Sequence, residues 1–154
     1  VRQTPDAGVL PSISGRPILG RSYPWGTTMR HALTVLLALI LAANGLLMLI
    51  APEPWYHLIP GVSSTGPFNP HFVRDIGCAY LVCGGAFFWM ARDAQARPAA
   101  LIAAIFLLLH ALTHVWDGLA GRESIEHLIS DIPGVFVLPA LALWLSFRPR
   151  PEAA

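Results

Sequence analysis

The sequence predicts an all-α integral membrane protein, a four-helix bundle with both termini on the cytoplasmic side. Three observations carry this. Apolar residues make up 55% of the 154-residue chain and charged residues 12%, about half the roughly 25% charged share of an average soluble domain. Four apolar runs of about 20 residues are each long enough, at ~1.5 Å per residue, to cross a hydrocarbon core of ~30 Å. The arginines also gather on alternate connections, which sets an orientation.

Residues 1–28 are rich in Pro, Gly and Ser without a sustained period, and read as an extended cytoplasmic tail with Trp25 at the membrane surface. Met29, followed by Arg30, looks like a natural start, with residues 1–28 as an upstream extension. The domain is expected over 29–148, with spans at about 31–50, 71–91, 99–120 and 125–147 and a C-terminal tail at 149–154. The first run is longer than the apolar region of a signal peptide and no small-x-small cleavage site follows it, so it reads as a retained helix. Pro52 and Pro54 end it, and Trp55 and Tyr56 suit the membrane–water interface.

A turn-rich loop follows over 57–70. Asn69-Pro70 then opens the second helix as cap and first-turn proline. The third run stops at Gly121, and Ser124 caps the fourth. The fourth helix is either bent near Pro133 and Pro139 or preceded by a short interfacial helix that breaks at Pro133.

Arg2, Arg16, Arg21, Arg30, Arg92, Arg97, Arg148 and Arg150 fall on the tails and the second loop. The first and third loops, with their helix ends, hold Arg74 and Arg122 against Glu53, Asp75, Asp117, Glu123, Glu126 and Asp131. By the positive-inside rule the termini face the cytoplasm and the acid- and histidine-rich loops face the periplasm. The expected location is the bacterial inner membrane. There is no lysine and the formal net charge is +1, so no basic surface for nucleic acid is present. Cys78 and Cys83 lie in an apolar run and do not suggest a disulfide framework.

The segment 110–131, HALTHVWDGLAGRESIEHLISD, concentrates the ionisable groups. On a helix His110, His114 and Asp117 share one face at i, i+4 and i+7, and His127 and Asp131 repeat the i, i+4 spacing after a turn. His71, Asp75 and Cys78 form a similar stripe on the second helix. With four spans, all three stripes converge at the outer leaflet, and Asn44 joins from the side.

An ionised carboxylate within a span costs roughly 2.5–3.5 kcal/mol on insertion scales and needs partners. A divalent transition metal supplies them: imidazole and carboxylate suit zinc, iron or manganese, and the histidines suit copper. His110 and His114 are the first candidate ligands, followed by His71, His127 and Asp131. Asp75 and Asp117 are candidate proton-transfer groups or orienters of the ligands. The competing reading is a structural or proton-relay network of the same residues. Catalytic signatures of other classes (G-x-S-x-G, the P-loop, the dinucleotide fingerprint, C-x-x-C-H) are absent from the sequence.

The four-span layout and the phrase GPFNPHFVRDIGCAYLVCGG resemble small bacterial inner-membrane proteins of the DoxX-like kind over residues 30–147. The resemblance is architectural. It implies a four-helix bundle, in some cases tied to respiratory or sulfur redox complexes, and matches no catalytic motif residue by residue.

The expected function is therefore an inner-membrane metalloprotein acting as a metal-dependent oxidoreductase or hydrolase. The alternative is a non-catalytic accessory subunit of a larger membrane complex. Expected partners are the lipid bilayer and other membrane subunits or further copies of the chain.

Overall fold

The computed structural model describes residues 24–122 and 124–147, with side chains from Thr28 onward. The N-terminal tail up to residue 23, the side chain of Trp25, Glu123 and the C-terminal arginines Arg148 and Arg150 lie outside the described residues.

The first helix, α1, runs from Pro24 to Ile50, so it begins inside the segment expected to be tail. Four helical segments are long and apolar enough to cross a membrane: Thr28–Ile50, Pro70–Arg92, Ala94–Leu119 and Ile125–Ser146. No strand occurs among the described residues.

Helix α1 leads into a short helix, α2 (Pro52–Leu58), where a loop was expected from His57 and a helix end at Pro52. Pro52 and Pro54 fall in the first turn of α2, where a missing N–H costs nothing. A 3₁₀ turn follows at Val62–Ser64. Helix α3 (Pro70–Arg92) starts as expected: the Asn69 side chain accepts hydrogen bonds from the His71 and Phe72 amides at 3.1 and 3.2 Å. A 3₁₀ turn at Ala94–Ala96 leads into α4 (Arg97–Leu119).

The fourth span is one continuous helical rod, built of α5 (Ile125–Asp131), a π-helical segment (Ile132–Val137) and α6 (Leu138–Ser146). Pro133 has no N–H to give the Ile129 carbonyl and its ring would crowd that oxygen in an α-helix. The Ile132 amide takes the carbonyl instead, in a tight three-residue turn, and the wider π-helical turns follow. The two prolines thus do not break the span.

Helix α1 packs most extensively on α3, and α4 on α6. Backbone contact between small residues explains the first pair. A Cβ placed on Gly45 would stand 2.6 Å from the Gly77 carbonyl oxygen, and one on Gly84 would stand 2.9 Å from the Ala42 amide nitrogen. Small residues permit this close approach of two helix backbones. Leu37, Leu41, Phe87, Ala104, Leu107 and Ala142 fill the core between the four spans.

The ends of the bundle are fixed differently. At one end Arg30 donates to the Trp144, Leu145 and Phe147 carbonyls at 3.0, 3.1 and 2.9 Å, and its guanidinium lies 4.2 Å from the centroid of the Trp144 ring. These are the carbonyls a helix terminus leaves unpaired. At the other end the Val62–Ser64 turn meets the start of α5 through Ser64 and His127.

Gly84 and its neighbour Gly85, around which a Cβ would meet open space, separate packing from propensity. Gly84→Ala is expected to lower stability by about 1–3 kcal/mol through overpacking, and Gly85→Ala to stay within about 0.5 kcal/mol of the parent or gain slightly. Thermal unfolding of both variants in detergent checks this.

Candidate metal centre

Helix α4 carries His110, His114 and Asp117 on one face, and α5 returns beside it with His127 and Asp131. Two glycines make that return possible. Gly121 has φ +69°, the left-handed conformation that ends α4, and a Cβ on Gly118 would stand 2.6 Å from Leu128 Cδ1. Ser124 starts α5 as expected by accepting from the His127 amide at 3.2 Å. The turn is braced by Arg122, which donates to Asp117 Oδ1 at 2.8 Å.

Asp131 is the centre of the cluster. Its side chain is only 8% exposed, and its two oxygens face two imidazoles. Oδ2 lies 2.8 Å from His114 Nδ1, and Oδ1 lies 3.7 Å from His127 Nε2. Ligand atoms of His114, His127 and Asp131 all fall within 4.8 Å of one another, close enough to hold a metal ion.

The hydrogen bonds around His127 determine which of its nitrogens carries the proton. Ser64 Oγ donates to the Gly61 carbonyl at 2.6 Å and lies 3.3 Å from His127 Nδ1. A hydroxyl has one hydrogen to give, so in the neutral ring Nδ1–H is the donor to Ser64. This assigns the lone pair to Nε2, which points at Asp131 Oδ1. At 3.7 Å the pair is too far apart for a hydrogen bond. The separation instead suits two ligands sharing one cation through bonds of about 2.0–2.2 Å. His114 Nδ1 and Asp131 Oδ2, at 2.8 Å, are within hydrogen-bonding distance. A metal taking Nδ1 would replace the proton there.

The loop before α3 holds His127 in place. Gly61 has φ +84°, and its Cα is pressed so closely on the imidazole that a Cβ would collide with His127 Nε2. Tyr56 secures this loop by donating to the Gly66 carbonyl at 2.5 Å, with the Ser63 carbonyl 3.3 Å from the same hydroxyl. Trp55 Nε1 donates to Asn44 Oδ1 at 2.9 Å, tying α2 to α1.

The other candidate residues divide: His110 adjoins the trio, and His71 and Asp75 stand apart from it. His110 stands one turn deeper on α4, its ring edge-on to His114 with centroids 4.9 Å apart and Tyr80 on its other side at 6.2 Å. His71 and Asp75 form their own pair on α3 at 3.5 Å, 88% and 59% exposed, and do not close a third side of the cluster. The cause is the α1–α3 packing: Val73, Gly77 and Gly84 face α1, which leaves the His71–Asp75–Cys78 stripe exposed. Arg74 donates to the Leu49 carbonyl at 3.3 Å at the end of α1. His57 is exposed on α2.

The trio lines a partly open chamber of about 640 Å³, bordered by residues of all four spans and by Val62. His110 and Asp117 line it as well. A separate polar cleft of about 340 Å³, bounded by Gly61, Ser64, Arg122, Ser124, Glu126 and Ser130, lies against His127 from the loop side. His127 is therefore a partition between a mostly apolar chamber and a polar cleft. Ser64 and Gly61 are the residues that sequence reasoning missed. Their only signal is the Pro60-Gly61 turn, which says nothing about what the turn touches.

No known protein family, curated protein or solved structure matches this chain. The functional reading rests on the geometry.

Gly61→Ala is expected to move the His127 ring and strain the turn. Histidine side-chain NMR should show His127 perturbed and His71 unchanged, with a stability loss of about 1–3 kcal/mol. Unaltered His127 resonances would show that the loop does not position the ring.

Proposed function

We propose that this chain is a bacterial inner-membrane metalloprotein whose divalent transition metal is held by His114, His127 and Asp131. The observation that carries this is the opposition of His127 Nε2 and Asp131 Oδ1 at 3.7 Å in a membrane-like span, taken in the His127 tautomer that donates to Ser64. A cation satisfies both. Imidazole and carboxylate ligation suits zinc or iron, and copper through the histidines.

Three protein ligands leave room for a substrate at the ion, the arrangement of catalytic rather than structural sites. The metal would act as a Lewis acid or redox centre. Asp117, which lines the chamber, is the candidate proton-transfer group beside it, and Ser64 fixes the orientation of His127. The arginine bias of the sequence supports an N-in/C-in topology, with the metal near the periplasmic face. The four-span layout shared with DoxX-like proteins is consistent with this placement.

The second reading is a metal-free His/Asp network in an accessory subunit, favoured by the 2.8 Å His114–Asp131 contact. Elemental analysis of detergent-purified protein separates the two. Near-stoichiometric metal is expected in the parent and in His71→Ala. It should be lost in His127→Ala and Asp131→Asn, and Ser64→Ala should bind about 10- to 100-fold more weakly. A metal-free parent, or metal retained by both ligand variants, favours the network.

A further inference from the structure

The chamber extends well beyond what a metal and its coordinated water would occupy. It runs from the Val62–Ser64 turn to a floor formed by Leu41, Tyr80 and Leu138. Leu41 and Tyr80 each stand about ten residues inside their helix ends, a depth of ~15 Å, or roughly half the hydrocarbon core. Its volume of about 640 Å³ lies within the roughly 300–1,000 Å³ of pockets that enclose one small ligand.

The two ends of this space differ chemically. The deep part is walled by Ile40, Leu41, Ile76 and Leu138, and the Asn44 oxygen beside them already accepts from Trp55. Water would find few partners there. The acidic and imidazole groups gather on one wall, where α4 and α5 present His110, His114, Asp117, His127 and Asp131.

We infer that the chamber binds a single-chain amphiphile, a medium-chain fatty acid or alcohol, with its tail on the apolar floor and its oxygen head at the His114–Asp131 wall. The head assignment rests on the metal reading, since a bound ion supplies the electrophile that draws a carboxylate or hydroxyl oxygen toward two histidines and an aspartate. The tail assignment rests on the chamber walls alone. The π-helical segment contributes directly, because Gly134 and Val135 line the chamber immediately after Asp131. One helix thereby supplies a ligand to the head and a wall to the tail.

The test uses the full chain in phosphatidylcholine nanodiscs, with decanoic acid and 1-decanol as probes of identical tail length and native mass spectrometry as the readout. Metal content is measured on the same samples. A one-to-one adduct with at least one probe is expected, and the preferred probe identifies the head as carboxylate or hydroxyl. Ile76→Trp fills the chamber and should weaken the adduct at least tenfold with metal content unchanged. Leu138→Phe, a smaller intrusion at the floor, should act in the same direction and serves if the tryptophan variant does not fold. Metal-loaded protein that binds neither probe, or folded chamber-filling variants that bind as well as the parent, would overturn the inference while leaving the metal reading intact. Probe binding by metal-free protein, abolished by filling the chamber, would support the tail assignment and remove the metal reading.

Discussion

The buried carboxylate of Asp131 is the constraint around which the functional end of this molecule is arranged. It sits 8% exposed within a helical segment apolar enough to cross a membrane. Leaving it ionised and unpartnered there would cost roughly 2.5–3.5 kcal/mol even on the lenient insertion scales. Two imidazoles face its two oxygens, but at unequal distances, 2.8 Å for His114 and 3.7 Å for His127. Only the shorter is a hydrogen bond. The exposed Arg122–Asp117 and His71–Asp75 pairs carry far less weight, since solvent-accessible ion pairs contribute about 0–1 kcal/mol. The charge on Asp131 is balanced by a protonated imidazole or by a cation shared with His127.

The scaffold holds that arrangement by dividing its tasks. Glycine contacts between α1 and α3 let two backbones meet, which makes this pair the rigid side of the bundle. The α4–α5 turn supplies the ligands, and the loop between α2 and α3 reaches across to clasp His127 through Gly61 and Ser64. The π-helical segment resolves the conflict between a membrane span and Pro133 without a break, and it begins at the residue after Asp131. Widened helical turns of this kind recur at functional sites because they re-aim side chains at little backbone cost.

Much of the fold was legible in the sequence because its signals are local. Run length and apolarity gave four spans, and Asn69 and Ser124 cap their helices as a reading of residue types suggests. The i, i+4 spacing of His127 and Asp131 and the turn at Gly121 placed these residues near His114 without any long-range assumption. What the sequence could not resolve was rotation about helix axes. His71 and Asp75 have the same spacing as His127 and Asp131, yet Gly77 and Gly84 turn that stripe outward by binding α3 to α1. Pro52 and Pro54 follow the end of α1 at Ile50 as expected, and they also open α2. Ser64 was passed over because its role depends on a residue 63 positions away.

X-ray absorption spectroscopy of the chain after incubation with zinc tests the central claim most directly. The geometry predicts light-atom ligation with the multiple-scattering signature of two imidazoles and a carboxylate oxygen, and no sulfur. It also predicts that one imidazole contribution disappears in His127→Ala. A sulfur scatterer, or a ligand shell unchanged by His127→Ala, would contradict it.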